Sequence, residues 1–139
     1  MNRTTLKYEL DLDFVLVAIT TPLKDYKLCY QINKQLSVNF CKVAELELIF
    51  NGDEHPLNFS KYIYEESHTE TIFYILANKG IDGLLIPEMR NVDFFLLIKN
   101  YIDKEDLQYF VTGLNKISDV LVAVEIEPKK LKSKENLIF

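Results

Sequence analysis

The order of strand-like and helix-like segments constrains this chain more than any other feature of its sequence. Apolar residues alternate with polar ones over several short segments, as in β-strands, and recur every three or four positions over two longer ones, as in helices. The predicted strands are residues 8–20, 40–50, 58–66, 71–78, 84–86, 92–98 and 120–127, and the predicted helices are residues 22–37 and 103–117. Consecutive strands between two helices favour an α+β fold, an antiparallel or mixed sheet of about six strands with two helices packed on one face.

Size and charge divide the chain into a body and a tail. With 139 residues, 48% of them hydrophobic, it is long enough for one domain with its own core. Residues 1–127 carry 12 basic and 20 acidic side chains, whereas residues 128–139 carry four lysines and one glutamate. Because Pro128 lacks the N–H that a strand or helix would use, we predict one α+β domain over 1–127 and a basic, flexible tail over 128–139. The alternative is a basic arm that contacts RNA or folds back onto the acidic body.

Both predicted helices show signals for where they begin. Thr21 is predicted to cap the first helix, and Asp103 the second, where Ile102 and Leu107 occupy the positions of a hydrophobic staple. The apolar arc of helix 22–37 is wide, so we expect this helix to contact two surfaces. One is the sheet, and the other is the second helix or a partner, which includes self-association through this helix.

Two polar residues interrupt that wide apolar arc. Asp25 lies near the helix start, where a carboxylate interacts favourably with the free N–H groups. Asn33 lies deeper in the helix, and a buried amide without partners costs about 1–3 kcal/mol, so Asn33 must form hydrogen bonds. We expect it to bond the backbone of a neighbouring loop or strand, and the alternative is that it lines a pocket or an interface.

Residue types that carry catalysis or bind metals are scarce. The chain has two His, two Cys and four Gly, and it contains no GxSxG, GxGxxG, P-loop or CxxC pattern. His55 and His68 fall in predicted turns, without an element that would orient them. We therefore predict that the protein is not an enzyme, with no catalytic residues, no cofactor and no metal site.

The first residues do not resemble a targeting signal. The longest apolar run near the start, residues 14–19, is six residues long and follows Asp11 and Asp13. A membrane span requires about 20 apolar residues, and a signal peptide requires a longer apolar core behind a basic start. We therefore predict a cytoplasmic protein that does not enter a membrane.

One short motif resembles the signature of a known family. Ile86, Pro87 and Glu88 are followed, after four further residues, by Asp93 and Phe94. This order is similar to that of the IPExxxDY family, a group of small uncharacterised bacterial proteins. Further matches lie over the whole body, at Asp25-Tyr26-Lys27-Leu28, Ile32-Asn33 and Asn78-Lys79. The chain departs from the family at Phe94, where the signature has tyrosine, and in having four residues between Glu88 and Asp93 where the signature has three. The resemblance implies no activity, substrate or cofactor.

The motif and the interrupted helix together give six candidate functional residues, Asp25, Lys27, Asn33, Pro87, Glu88 and Asp93. Pro87 is expected to end a short strand. Glu88 is expected to cap free N–H groups or to pair with a lysine, either Lys27 or Lys79. The functional alternative groups Asn33, Glu88 and Asp93, with Lys27, around one pocket.

Alternating carboxylates are the strongest indication of a partner. Three predicted strands carry them: Glu9, Asp11 and Asp13 on the first, Glu45 and Glu47 on the second, and Glu125 and Glu127 on the last. If these strands are neighbours, they form either an ordinary solvated face balanced by lysines or an acidic docking surface for a basic partner. We predict a non-enzymatic cytoplasmic module that binds an unknown protein partner. The alternative is a small-molecule-sensing or regulatory domain with a pocket near Asn33, Glu88 and Asp93. The third is an RNA-associated accessory protein that binds nucleic acid weakly through the lysines of 129–134.

Overall fold

A computed structural model describes residues 13–49 and 55–139 of the chain. Within these ranges the chain forms strands, two α-helices and two short 3₁₀ turns. The elements are β1 (Val15–Thr20), α1 (Asp25–Leu36), β2 (Cys41–Leu48), β3 (Leu57–Glu65), β4 (Ile72–Ala77), β5 (Phe94–Lys99), α2 (Lys104–Lys116) and β6 (Val122–Ile126), with 3₁₀ turns at Pro128–Lys130 and Lys134–Leu137. The first part of the predicted strand 8–20 and the last residue of the predicted strand 40–50 lie outside the described residues.

The strands form one six-stranded antiparallel sheet in the order β2-β3-β4-β5-β1-β6. The four strands from β2 to β5 are neighbours in chain order, whereas β1 lies between β5 and β6. Both α-helices pack on one face of this sheet. The predicted α+β fold, with a sheet and two helices on one face, is therefore confirmed.

We call the face under the helices the helical face. Its buried strand residues are Val17, Ile19, Tyr62, Phe73, Ile75, Ala77, Phe94, Leu96, Ile98 and Ala123, and the helices add Leu28, Cys29, Ile32, Leu36, Phe110 and Leu114. The two helices approach each other closely where Gly113 of α2 meets Leu36 of α1. A Cβ atom at position 113 would overlap with the Leu36 side chain, so glycine permits this contact.

The predicted start of the second helix is confirmed. A carboxylate oxygen of Asp103 accepts a hydrogen bond from the backbone N–H of Asp106 at 2.8 Å, which caps α2. Ile102 and Leu107, the predicted staple, both pack against the helical face.

The predicted cap of the first helix is wrong. α1 begins at Asp25, and its N-cap residue, Lys24, makes no side-chain cap. The Thr21 hydroxyl accepts the N–H of Leu23 at 3.2 Å and donates to the carbonyl oxygen of Asp119 at 2.7 Å. Thr21 therefore ties the chain after β1 to the chain before β6 instead of starting the helix.

The opposite face is covered by irregular segments, and we call it the loop face. The covering segments are residues 78–93 and 128–139, which contribute Leu85, Ile86, Val92, Leu131 and Leu137. They pack on the strand residues Leu16, Ala18, Leu46, Phe59, Leu76, Phe95 and Leu97. The predicted strand at 84–86 is reduced to a single bridge between Leu84 and Lys79.

The C-terminal segment differs most from the sequence prediction. Residues 128–139 are packed on the loop face, where we expected a flexible tail, and both Leu131 and Leu137 are buried. Pro128 begins a 3₁₀ turn, since a missing N–H costs nothing at the first position of a helical turn. Leu131 and Leu137 face the sheet, whereas Lys129, Lys130 and Lys132 are exposed. The segment folds back onto the body, but through buried leucines and the hydrogen bonds between Ser133 and Glu88, not through ion pairs of its lysines with distant carboxylates of the described residues.

The sheet order also separates the alternating carboxylates. β2, with Glu45 and Glu47, forms one edge of the sheet, and β6, with Glu125, forms the opposite edge. Glu45 and Glu47 are therefore separated from Glu125 by four strands, and one acidic surface over all three predicted strands is not formed. β1 is the neighbour of β6, but Glu9 and Asp11 of the first predicted strand lie outside the described residues.

Candidate functional site

Asn33 clamps the beginning of β2 to the end of α1. Its Oδ1 accepts the backbone N–H of Phe40 at 2.8 Å, and its Nδ2 donates to the carbonyl oxygen of the same residue at 3.2 Å. One backbone residue thus satisfies both ends of the amide. The expectation that Asn33 bonds a neighbouring backbone is confirmed.

Asn115 forms the same clamp at the second helix-to-strand connection. Its Oδ1 accepts the N–H of Ala123 at 2.9 Å, and its Nδ2 donates to the carbonyl oxygen of Ala123 at 2.9 Å. Sequence reasoning missed this residue. The available signal was an asparagine in the last turn of a predicted helix, seven or eight residues before an inward-facing strand residue.

Asp93 joins the end of β1 to the beginning of the loop that precedes β5. One carboxylate oxygen accepts the backbone N–H of Thr21 at 2.8 Å, and the other pairs with Nζ of Lys79 at 2.7 Å. The backbone of Asp93 adds a hydrogen bond to the carbonyl oxygen of Ile19. Asp93 therefore connects its own loop before β5 to the end of β1 and to Lys79 in the loop after β4.

The motif that contains Pro87 and Glu88 is built around the buried side chain of Asn78. Its amide accepts the N–H of Ile86 at 2.7 Å and donates to the carbonyl oxygens of Met89 at 2.9 Å and Val92 at 2.8 Å. Pro87 itself is exposed in the turn that follows Ile86. Asn78 thus supplies the hydrogen bonds that a covering loop without regular structure requires.

Glu88 holds the C-terminal segment in place. Its carboxylate accepts the backbone N–H and the hydroxyl of Ser133, each at 2.8 Å. Burial alone would raise the pKa of Glu88, but the accepted hydrogen bonds, chiefly from Ser133, hold it below its ordinary value. The expected capping role is confirmed, although neither lysine is the partner. Lys79 pairs with Asp93, and Lys27 is exposed and forms no ion pair with any described residue.

Asp25 lies close to the thiol of Cys29 and the hydroxyl of Tyr62, and both of these groups have raised pKa values. Its carboxylate accepts the N–H of Tyr26 at 2.8 Å and the hydroxyl of Tyr62 at 3.4 Å. Burial, followed by the nearby charge of Asp25, raises the pKa of the Cys29 thiol to about 12. The same two causes raise the pKa of Tyr62 to about 12. Cys29 is therefore not a reactive nucleophile, because the thiolate form is disfavoured.

The candidate residues do not share a pocket. Asn33 lies on α1, over the helical face, whereas Glu88 binds the segment that covers the loop face. The sheet itself separates the two side chains, and Asp93 is occupied by Thr21 and Lys79. The predicted pocket around Asn33, Glu88 and Asp93 is therefore wrong.

A different site lies at one end of the molecule, and we call it the cleft. It is half-open, has a volume of about 970 Å³, and is lined by the end of α1, the β3–β4 turn, the β5–α2 link and the first half of α2. None of the six predicted site residues lines it. Its rim is braced, because the Thr71 hydroxyl donates to the carbonyl oxygen of Tyr101 and Nδ2 of Asn100 donates to that of Glu70 at 2.6 Å.

Aromatic rings form the wall of the cleft. The ring centroids of Tyr64 and Phe73 are 5.4 Å apart, and those of Phe73 and Phe110 are 4.6 Å apart in a stacked arrangement. Two further tyrosines line the mouth, where Tyr101 is 72% exposed and Tyr109 is 60% exposed. Such rings provide a large, rigid contact surface with polar hydroxyl ends.

Carboxylates provide all of the charge in the cleft lining. Glu66, Glu70, Asp103 and Asp106 line it, and the lining contains no lysine, arginine or histidine. The ion pairs found among the described residues all lie elsewhere, at Lys42–Asp25, Lys79–Asp93 and Lys130–Glu127. Glu66 accepts the hydroxyl of Tyr64 at 2.9 Å, and burial together with this hydrogen bond raises the pKa of Tyr64. Among the described residues, none of these four carboxylates forms an ion pair.

The carboxylates surround the cleft as separate charges. Within residues 13–49 and 55–139, no group of three or more His, Cys, Asp or Glu side chains is arranged to hold a metal ion. Aromatic walls between isolated carboxylates suit an organic cation, which contacts the rings through its carbon or planar surface and the carboxylates through its N–H groups.

Comparisons with known proteins return no match to this chain, whether against protein-family models, curated proteins or solved structures. The resemblance to the IPExxxDY family stays a prediction. What the structure itself defines is an α+β domain with an acidic, aromatic-walled cleft. In the described part of the chain, neither helix has the length and apolar character needed to cross a membrane.

Proposed function

We propose that the protein is a non-catalytic, cytoplasmic interaction module that binds a basic segment of a partner protein in the cleft. The observation that carries this proposal is the convergence of four carboxylates, without a basic neighbour in the lining, on one aromatic-walled cleft. A cleft lined by charge of one sign concentrates its field and attracts ligands of the opposite sign.

The mouth of the cleft supports a protein partner in particular. Tyr101 and Tyr109 are both largely exposed, although each has a large apolar ring. Tyrosine is enriched at protein–protein interfaces, because its ring fills a partner's surface while its hydroxyl stays hydrated. These two residues supply anchors beside the charged centre of the site.

The helix ends around the cleft favour a cation as well. α1 ends in the lining at Leu36 and Ser37, and a helix C-terminus carries a partial negative charge. α2 begins in the lining, where Asp103 caps its N-terminus and Asp106 lies in its first turn. These two carboxylates offset the start of α2, and Glu66, Glu70 and the end of α1 supply the remaining negative charge of the cleft.

Binding of short labelled peptides tests the proposal. We expect a basic nine-residue peptide, followed by fluorescence anisotropy, to bind the wild type, and its affinity to fall as salt is added. Glu66→Gln and Asp106→Asn each remove one cleft charge and should weaken binding by about three- to tenfold. An acidic peptide of the same length should not bind.

Glu105→Gln is the matched control. Glu105 lies next to Asp106 in the first turn of α2 but does not line the cleft. This variant should bind the basic peptide as the wild type does. Equal affinities in all variants, or no binding of the basic peptide to the wild type, would contradict the proposal.

The volume of the cleft supports a second candidate, a sensor of a small organic cation. Pockets for such ligands measure about 300–1,000 Å³, and the cleft reaches about 970 Å³. Thermal melts with spermidine, choline and agmatine distinguish the two candidates. A rise in melting temperature with a free amine at micromolar concentration, without peptide binding, would favour the sensor.

A further inference from the structure

We infer that the side chain captured by the cleft is arginine, in preference to lysine. The inference rests on the proposed function, since it names the chemistry that the same cleft selects. The inference is carried by two places in the lining where an aromatic ring and a carboxylate lie side by side.

The first pair comes from the end of β3. Tyr64 and Glu66 are two positions apart in extended chain, which places their side chains on the same face. The Tyr64 hydroxyl donates to Oε2 of Glu66 at 2.9 Å. This hydrogen bond holds the carboxylate beside the ring and reduces the conformational entropy that Glu66 would lose on binding a ligand.

The second pair comes from α2. Asp106 is three positions before Tyr109 and four before Phe110, so its carboxylate shares a side of the helix with both rings. All three residues line the cleft. The cleft thus presents a carboxylate beside an aromatic surface twice, from two elements of the fold.

A guanidinium group matches this arrangement better than an ammonium group does. Its plane stacks on an aromatic ring while its edge donates two parallel N–H bonds to a carboxylate. The ammonium group of lysine is a compact, strongly hydrated charge, which loses more hydration in a cleft walled by rings. The accessible rings of the lining are those of Tyr64 and Tyr109, since Phe73 and Phe110 are only 4% and 7% exposed. These two tyrosine rings, each with a carboxylate nearby, therefore favour arginine.

Two peptides of equal length and charge test the selection, one with arginine–glycine repeats and one with lysine–glycine repeats. We expect the wild type to bind the arginine peptide about tenfold more tightly in fluorescence anisotropy at one fixed salt concentration. Tyr64→Phe keeps the ring and removes the hydroxyl that positions Glu66, so it should reduce the ratio of the two dissociation constants. Glu66→Gln should reduce it further, and Glu105→Gln should leave it unchanged.

The outcomes separate this inference from the proposed function. Equal affinity of the wild type for both peptides overturns the selection of arginine and leaves a basic-segment module. Failure of both peptides to bind overturns both conclusions. An arginine preference that survives unchanged in Tyr64→Phe, Glu66→Gln and Asp106→Asn also overturns the inference, because recognition would then lie outside the two pairs. Circular dichroism melts establish that each variant is folded.

Discussion

The two faces of the sheet are covered in different ways. On the helical face, α1 and α2 satisfy their own backbone groups, so apolar side chains at helical spacing are sufficient to cover the strands. On the loop face, residues 78–93 and 128–139 have little regular structure, and side chains such as Asn78, Glu88 and Asn136 bond the backbone instead. An irregular cover thus depends on a few polar side chains, whereas a helical cover depends on many apolar contacts.

A matched pair of leucine substitutions should show this difference most strongly. Leu28 in α1 and Leu137 in the C-terminal segment are both 0% exposed. Leu28→Ala should lower the free energy of unfolding by about 2–5 kcal/mol, as large-to-small core substitutions do. Leu137→Ala should cost about half as much, because its segment is able to detach locally while the sheet stays folded. Urea unfolding followed by far-ultraviolet circular dichroism measures both.

An equal loss of unfolding free energy in the two variants would contradict the difference between the two faces. That result, with the same dependence of the unfolding free energy on urea, would mean that the C-terminal segment unfolds only with the whole domain. We expect instead that hydrogen exchange finds residues 131–138 opening independently in Leu137→Ala.

Asn78→Ala tests the polar support of the loop face. The substitution leaves the N–H of Ile86 and the carbonyl oxygens of Met89 and Val92 without their partner, and it should cost about 1–3 kcal/mol. Asn91→Ala is the control, since Asn91 is exposed in the same loop and its side chain bonds no described residue. A melting temperature for Asn78→Ala equal to that of the control would contradict the role of Asn78.

Asn33→Leu tests the clamp beside the helical face. It removes two hydrogen bonds to Phe40 and should lower the free energy of unfolding by about 1 kcal/mol, with no change in binding of the basic peptide. Asn115→Leu should behave alike, because it removes the corresponding clamp on Ala123. An unchanged melting temperature together with lost peptide binding would place Asn33 in an interface.

Substitution of Glu88 should have the smallest effect on stability, and the docking of the C-terminal segment that it supports should depend on pH. The pKa of Glu88 in the folded protein is lowered from 4.5, so its contribution to docking is present above pH 4.5 and is lost as the pH falls through the lowered value. The protection of amides 131–138 from hydrogen exchange, measured relative to their intrinsic exchange rates at each pH, should therefore fall in acid. Glu88→Ala should show that reduced protection at neutral pH and lose its pH dependence, whereas Glu135→Ala should retain it. If the wild type and Glu88→Ala showed the same dependence of this protection on pH, the role of Glu88 in holding the C-terminal segment would be contradicted.

Much of the architecture could be predicted, because it depends on local patterns. Alternation located the strands, helical spacing located both helices, and the residue type at Asp103 identified a cap that the structure contains. Asn33 could be assigned because a polar residue within an apolar arc requires a partner, and the nearest partner is in the following turn.

The cleft and the loop face could not be predicted, because they depend on strand order. Tyr64 and Asp106 are distant in the sequence and meet only because the end of β3 and the beginning of α2 lie at the same end of the sheet. The tail appeared flexible because its few apolar residues lack a regular period. Their burial depends on the apolar strand surface that the helices leave uncovered.

The position of β1 affects how the chain folds. β2 to β5 pair with their neighbours in sequence, so these hairpins are able to form while the chain is still being synthesised. β1 pairs with β5 and β6, and Val17, for example, lies opposite Leu96 and Glu125. Contacts at such sequence separation form slowly, because a long stretch of chain must be closed first. β1 therefore cannot pair until β5 and β6 have emerged from the ribosome. Its apolar residues stay exposed during that interval.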